Sequence, residues 1–216
     1  SIDEWAEQTV HLTNAYRPPG PFNCDRSPYM LDIFTSLRDT TTRQVNIMSS
    51  PRSGKTLLGE IFMLYSIAEN PSSFLWVQQT NEQMDKLGGL RMKQLLKLCQ
   101  PVKRLIDPDE RFAVTKKHIK FTNDMNVILG SAKIADLQSV GYRYIVGDEC
   151  WCWEEGFMAE AHARTDDFRN CSKELYISQG GLAGTEWQME FDRGNVYEWG
   201  WQCPKCKNNQ QYHWNF

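Results

Sequence analysis

The amino-acid sequence predicts an α/β fold, a mainly parallel sheet flanked by helices, and three observations predict it. Short runs rich in β-branched and aromatic residues alternate with longer segments whose apolar residues recur at helical spacing. The turn Gly54-Lys55-Thr56 stands directly between one such run and one such segment. Another apolar run ends in two acids, Asp148 and Glu149.

The elements follow in order. Residues 1–30 read as a polar lead-in with a turn at Pro18-Pro19-Gly20-Pro21. Residues 29–38 space their apolar side chains as a helix does. Residues 43–48 read as a short strand, followed by a turn over 49–53. From Gly54 to about Glu69, the residues Leu57, Leu58, Ile61, Phe62, Leu64, Tyr65 and Ile67 mark a buried helix, and Pro71 ends it. Phe74-Leu75-Trp76-Val77 is a second strand, and residues 81–99 form an amphipathic helix with several basic residues. Residues 118–121 and 126–129 pair as a hairpin around Asn123-Asp124. Tyr144-Ile145-Val146-Gly147 is a strand that delivers Asp148 and Glu149. Residues 173–177 form another, ending at Ser178-Gln179-Gly180-Gly181. After residue 184 the chain turns aromatic and polar and carries a CxxC. A domain at 1–184 is therefore expected, with 185–216 as a linker or the start of a following region.

The bulk numbers narrow the function classes. In 216 residues, 41% are hydrophobic and 24% charged, ordinary for a globular domain with a sizeable core. A net charge of −3 is unlike a dedicated nucleic-acid binder, which is usually basic, so any DNA contact rests on a local strip. Seven unevenly spaced cysteines do not form a disulfide framework and suit a reduced, intracellular setting. The apolar runs are short and the polar N-terminus lacks an apolar signal segment, so neither a membrane helix nor a secretory signal is expected. The chain opens without Met and stops at Trp214-Asn215-Phe216, and so is expected to be a piece of a longer protein, with processing at the N-terminus as the alternative.

The octet Ser49-Ser50-Pro51-Arg52-Ser53-Gly54-Lys55-Thr56 follows a strand and opens a helix, the context of a P-loop. Its backbone N–H groups and the helix N-terminus would face phosphates. Gly54 allows close approach, Lys55 neutralises β/γ oxygens, and the Thr56 hydroxyl ligates Mg²⁺. Ser49 replaces the first glycine of the usual pattern. Asp148 falls at the carboxyl end of a strand, where α/β sheets bind ligands, and would hold Mg²⁺. Glu149 would polarise the attacking water as general base. Together the two motifs predict a P-loop NTPase of the ASCE/RecA-like type using ATP and Mg²⁺. Arg52 is placed to stabilise γ-phosphate charge in cis, or else pairs with a surface acid. Ser178 and Gln179 follow a strand, as a γ-phosphate sensing segment or as a plain turn.

With these residues the chain resembles the large subunit of the tailed-phage DNA-packaging terminase, in its lambda-type branch. The resemblance runs through Glu4-Trp5-Ala6, Pro19-Gly20-Pro21, Arg26-Ser27-Pro28-Tyr29, the P-loop and Val77-Gln78-Gln79-Thr80. It continues through His118-Ile119-Lys120-Phe121, Gly130-Ser131-Ala132, 143–149 with Trp151 and Trp153, Ile177-Ser178-Gln179-Gly180, and Cys203-Pro204-Lys205-Cys206. It implies an ATPase motor that moves double-stranded viral DNA into a procapsid in the host cell cytoplasm. Its implied partners are a portal protein and a small terminase subunit, with copies of the chain forming a ring. It implies a P-loop arginine, matched by Arg52, a coupling motif, matched loosely by Ser178-Gln179-Gly180, and an adenine-side contact near Tyr29. The family's nuclease domain is not expected in this chain. A superfamily 2 helicase would need a second RecA-like domain, which nothing after residue 184 resembles. A nucleotide-binding regulatory module has no need of Glu149.

Cys203 and Cys206 have the spacing of half a zinc ribbon, giving Zn²⁺ as a second candidate metal, with His213 nearby but outside a standard pattern. Cys150 and Cys152, separated by Trp151, would face the same side if on a strand, and are expected to pack near the site. A motor indifferent to sequence needs phosphate contacts. Lys86, Arg91, Lys93, Lys97, Lys103, Arg104, Lys116, Lys117 and Lys120 are the candidates, with a solvated charged face as the alternative. Trp151, Trp153, Trp187, Trp199, Trp201 and Trp214 read as core or interface, since duplex DNA offers no bases to stack. Arg164, Arg169 and Arg193 are candidates to reach a neighbour's γ-phosphate.

Overall fold

A computed structural model describes residues 1–16, 18–87, 91–107, 113–115, 117–137 and 140–211. The candidates Lys116, His213 and Trp214 lie outside the described residues.

The polar lead-in begins with a helix that the sequence analysis does not place, α1 (Ile2–Thr9). Ser1 and Glu4 form a capping box at its start, and Ile2 and Ala6 bury against the domain. Two short strands, β1 (His11–Leu12) and β2 (Gly20–Pro21), pair antiparallel before α2 (Tyr29–Arg38). Then come β3 (Gln44–Met48), α3 (Lys55–Glu69) and β4 (Phe74–Gln78). The segment 81–99 carries α4 (Asn81–Lys86) and α5 (Met92–Leu98), and α6 (Gln100–Lys103) follows. The hairpin is β5 (His118–Lys120) with β6 (Asn126–Ser131), and Asp124 takes a left-handed φ of 62° in its turn. The rest comprises α7 (Ile134–Leu137), β7 (Tyr144–Asp148), α8 (Phe157–Ala163), β8 (Lys173–Ser178), α9 (Glu186–Asp192), β9 (Gly200–Gln202) and β10 (Asn209–Gln211).

The central sheet has the order β3-β8-β7-β4-β6-β5 and is parallel except for β5. Its strands are covered on both faces, which explains their near-continuous apolar runs. Alternation sorts the side chains between two cores. Phe74, Trp76, Tyr144, Val146, Leu175 and Ile177 join one core with α1, α2, α3 and α5. Leu75, Val77, Ile145 and Tyr176 join the other with Phe157, Met158 and Ala161 of α8 and Trp187 of α9. Each large apolar side chain removed from water in this way contributes about 1.5–3 kcal/mol. The parallel order places the carboxyl ends of β3, β8, β7 and β4 side by side, and the candidate site lies there.

Candidate active site

The P-loop leaves the end of β3 and enters α3 through Gly54, whose φ of 90° is left-handed. A Cβ on Gly54 would press on Met30 Cε at 2.9 Å and Tyr29 Oη at 3.0 Å, so this position also needs glycine for space. Ser49 fits the place of the usual glycine by bonding the loop to itself: its hydroxyl pairs with that of Ser53 at 2.7 Å. Its N–H donates to the Ser178 carbonyl at 3.0 Å. Lys55 is buried, and its ammonium donates to the carbonyls of Ser49 at 3.1 Å and Ser50 at 2.9 Å. An ammonium has three donors, so one remains for a phosphate oxygen. Ser50, Pro51 and Arg52 form the exposed crest of the loop. Arg52 has a left-handed φ of 64° and, among the described residues, no carboxylate partner, so the alternative of a surface ion pair is not what is seen.

Strand β7 brings the second motif across 92 residues of sequence: the Thr56 hydroxyl donates to Asp148 Oδ2 at 3.1 Å. Gln78 Nε2 at the end of β4 donates to the same oxygen at 3.0 Å. Asp148 Oδ1 is buried and has no hydrogen-bond partner among the described residues. Burial raises the Asp148 carboxyl above the ordinary aspartate range, against the bonds from Gln78 and Thr56. A buried carboxylate with one oxygen unsatisfied, beside a hydroxyl, fits a hard divalent cation with oxygen ligands such as Mg²⁺. Thr56 and Asp148 are thus the residues suited to hold it.

Glu149 is the next residue and also takes a left-handed backbone, φ 56° and ψ 45°. For a non-glycine residue this costs about 1 kcal/mol or more, and such strain gathers at functional positions. Its Oε2 accepts the indole N–H of Trp151 at 3.0 Å. Burial, then the charge of Asp148, raises its pKa above the ordinary glutamate value. Cys150–Cys152 is a single 3-10 turn rather than a strand, because the chain reverses at Glu149. Cys150 is buried in the second core, and the Cys152 thiol donates to the Glu149 carbonyl at 2.9 Å. Trp153 packs edge-on against Phe157 and Tyr176. A side chain on Gly147 would run into the Trp153 and Tyr176 rings.

Ser178 is fully buried at the end of β8, between the two motif strands. Its carbonyl takes the Ser49 N–H, and its hydroxyl accepts the Trp151 N–H at 2.9 Å. The Gln179 carbonyl accepts the indole N–H of Trp187 at 3.1 Å, tying α9 to the same corner. Tyr29 lies on the P-loop with its hydroxyl donated to the Ser53 carbonyl and its ring edge-on to Trp199 at 6.4 Å. Sequence reasoning did not assign Gln78 or Trp151 to the site. The available signals were a glutamine closing an otherwise apolar buried strand and an indole two residues beyond the second acid.

Other candidates lie apart. Arg91 is not a free basic group: its Nε stands 2.6 Å from Glu60 Oε1, and Nη2 donates to Oε2 at 2.9 Å. The Tyr16 hydroxyl donates to Glu60 Oε2 at 2.5 Å. Lys86, Lys97, Lys103, Arg104, Lys117 and Lys120 are exposed and Lys93 half-buried. Arg164, Arg169 and Arg193 each pair with a carboxylate three or four residues earlier, namely Glu160, Asp166 and Glu190. Cys203 and Cys206 occupy the turn of the β9–β10 hairpin, closed by the Lys207 N–H to the Cys203 carbonyl at 2.9 Å. Among the described residues no group of three or more His, Cys, Asp or Glu is arranged to hold a metal. Likewise no described helix is long and apolar enough to cross a membrane.

The family model described as phage terminase large subunit gpA, ATPase domain, matches residues 17–216. No curated protein matches the chain. Among solved structures, the large terminase of HK97 bacteriophage is similar with a TM-score of 0.70 at 14% identity, covering 89% of this chain and 40% of its own. The large terminase ATPase domain of Thermus phage P74-26 gives 0.58 at 17% identity, covering 83% and 75%. The UvsW helicase of bacteriophage T4 gives 0.58 at 14% identity, covering 88% and 63%. At these identities the likeness is one of fold, shared by terminase and helicase, and the family match separates them. The chain spans 40% of the length of the HK97 terminase.

Proposed function

The chain belongs to the ATPase-domain family of the phage terminase large subunit, and from that premise we propose that its ATP hydrolysis drives double-stranded DNA into a procapsid. The observation that carries the site assignment is the Thr56–Asp148 contact, which joins the two nucleotide motifs at the carboxyl edge of the sheet. Lys55 and the loop amides hold the β- and γ-phosphates. Thr56 and Asp148 hold Mg²⁺, which supplies charge neutralisation on the phosphates when bound. Glu149 accepts a proton from the water that attacks the γ-phosphorus, and its raised pKa brings it nearer to that of a working base. Arg52, extended from the loop crest without a local acid, meets charge developing on the γ-phosphate. Tyr29 sits at the loop entrance on the adenine side, and Ser178 and Gln179 relay the phosphate state between the motifs.

The working unit in this reading is a ring of chains on a portal protein, fed by a small terminase subunit in the host cytoplasm. The exposed lysines of α4, α5 and β5 contact DNA phosphates. Residues 1–184 form the ATPase unit, and 185–216 open a following region whose first helix, α9, docks back on the core. Its Cys203 and Cys206 supply half of a Zn²⁺ site. The test is steady-state ATP hydrolysis with Mg²⁺ by the wild type, Lys55→Ala and Glu149→Ala. Loss in both variants, with nucleotide binding retained in Glu149→Ala, is expected. Turnover that survives Glu149→Ala removes Glu149 as the base, and a wild type that binds no nucleotide sinks the site.

A further inference from the structure

A cavity of about 180 Å³ opens at the amino-terminal ends of β3, β8 and β7, the opposite end of these strands from the P-loop. Arg38, Arg43, Arg143 and Lys173 line it, with Asn70 and Tyr65. Topology gathers these cations. Arg43 immediately precedes β3, Arg143 precedes β7 and Lys173 opens β8, and these three strands are neighbours in the order β3-β8-β7. With strands about 4.8 Å apart, three cationic positions fall within about 10 Å. Arg38 ends α2 beside them.

The cavity is built rather than incidental. Arg143 Nη1 donates to Asn70 Oδ1 at 3.0 Å and its Nε to the Cys171 carbonyl at 3.3 Å, while its guanidinium lies 5.0 Å over the Tyr144 ring. That fixes the plane and leaves further N–H donors of the five. Lys173 is buried and donates to the carbonyls of Asp39 and Thr42. Those are neutral acceptors, so its charge is not cancelled by them. Burial lowers the Lys173 pKa; Asp39 opposes that shift and the like charge of Arg43 adds to it. The acids in reach are Asp39, whose carboxylate is taken by the Thr41 and Thr42 hydroxyls, and Glu4, whose charge Arg38 feels while it caps Ser1. Four cations thus stand against two carboxylates, which leaves an excess of positive charge around a space that admits one tetrahedral oxyanion.

We infer that this cavity binds a phosphate group, gripped by Arg38, Arg43 and Arg143. Planar guanidinium forks match phosphate oxygens in pairs, and an arginine-rich wall is the usual form of such a site. The group is either a phosphodiester of the DNA backbone or free orthophosphate. The first source rests on the DNA-translocation reading given above; the second does not. The site lies a strand length, roughly 17 Å, from the nucleotide phosphates, so it is not a subsite for ATP.

The test is arginine-selective modification with phenylglyoxal, mapped by mass spectrometry, at constant ionic strength. The probes are orthophosphate, a duplex of about 20 base pairs, chloride, and a polyglutamate peptide. Protection of Arg43 and Arg143 by orthophosphate or duplex, beyond that from chloride and unchanged in Lys55→Ala, is expected. Protection by duplex at far lower phosphate concentration assigns the DNA backbone as the source; protection by orthophosphate alone assigns the free ion. The Arg38→Gln and Arg43→Gln variants should each weaken binding about ten-fold, the loss expected for a charge-assisted hydrogen bond, with ATP hydrolysis unchanged. No protection by either phosphate probe, or protection by polyglutamate alone, overturns the inference. Hydrolysis assayed in the same preparations separates failure of this site from failure of the ATPase assignment.

Discussion

Replacing Arg91 by methionine isolates a buried charge at the root of the nucleotide helix. Glu60 lies on α3 one turn beyond Thr56, its side chain has no exposure, and Arg91 is its only cationic partner among the described residues. At an effective dielectric of about 20, opposite charges about 4 Å apart attract by about 4 kcal/mol. Removing one member of a buried pair costs about 3–5 kcal/mol, because the other is left uncompensated. Burial raises the Glu60 pKa above 4.5 even in the wild type, with Arg91 and the Tyr16 hydroxyl opposing it. Without Arg91 it rises further, so the folded variant binds a proton where the folded wild type does not. A raised folded pKa means that stability is present below the unfolded value near 4.5 and is lost as pH climbs through the folded one.

The destabilisation of Arg91→Met should therefore grow by about 1.4 kcal/mol per pH unit between the two folded pKa values, reaching about 3–4 kcal/mol at the alkaline end. Urea unfolding at a series of pH values from about 5 to 8 reads it. The double variant Glu60→Gln/Arg91→Met should lose this pH dependence. A loss below about 1 kcal/mol that does not change with pH would refute the reasoning and return Arg91 to the pool of DNA-contact candidates.

Four further outcomes are expected. Trp151→Phe removes the indole donor that favours the Glu149 carboxylate, so the Glu149 pKa rises and the acid limb of the ATPase pH–rate profile moves to higher pH; superimposable profiles would detach Trp151 from the base. Ser178→Ala leaves the Trp151 N–H without its acceptor, costing about 1–2 kcal/mol in denaturant unfolding and lowering kcat more than it raises KM. Asp148→Asn abolishes Mg²⁺-dependent turnover. At neutral pH it also raises Tm, because burial has lifted the Asp148 pKa and the folded chain bears an unfavoured charge once pH exceeds it; an unchanged or lower Tm contradicts this. Gly147→Ala forces the Trp153 and Tyr176 rings apart and should destabilise by about 1–3 kcal/mol in the same unfolding assay.

The sequence disclosed those parts whose signals are local. β3, β4, β7, β8, α2, α3 and the β5–β6 hairpin stand where periodicity and turn residues place them. The two motifs proposed to form the nucleotide site stood out in the sequence because each is a short string on one element. α1 was missed because eight residues carry little periodicity, although Ser1 and Glu4 spelled its capping box. α8 and α9, of seven residues each, gave no separable pattern and are held by tertiary packing of Phe157, Met158 and Trp187. The role of Arg91 was unreadable because its partner, Glu60, lies on another helix, and a lone arginine on an amphipathic stretch looks solvated. Gln78 and Trp151 escaped for a related reason. Their meaning lies in which strand neighbours which, and the order β8-β7-β4 is not written in any one segment.

That strand order also explains how phosphate chemistry could be felt beyond the site. β8 separates the P-loop strand from the acid-bearing strand, so the two motifs share no direct ladder; beside the Thr56–Asp148 hydrogen bond, they are joined through the end of β8. Ser178 presents its carbonyl to Ser49 on one side and its hydroxyl to Trp151 on the other, and Trp151 in turn holds Glu149. The Glu149 N–H is itself bound to Ile177 of β8 at 2.9 Å. Since the P-loop and the base both lean on these two residues, a displacement of Ser49 perturbs the same backbone that sets the strained turn at Glu149. The coupling is short, fully buried at Ser178 and made of hydrogen bonds worth about 1 kcal/mol each, strong enough to bias a turn strained by a similar amount.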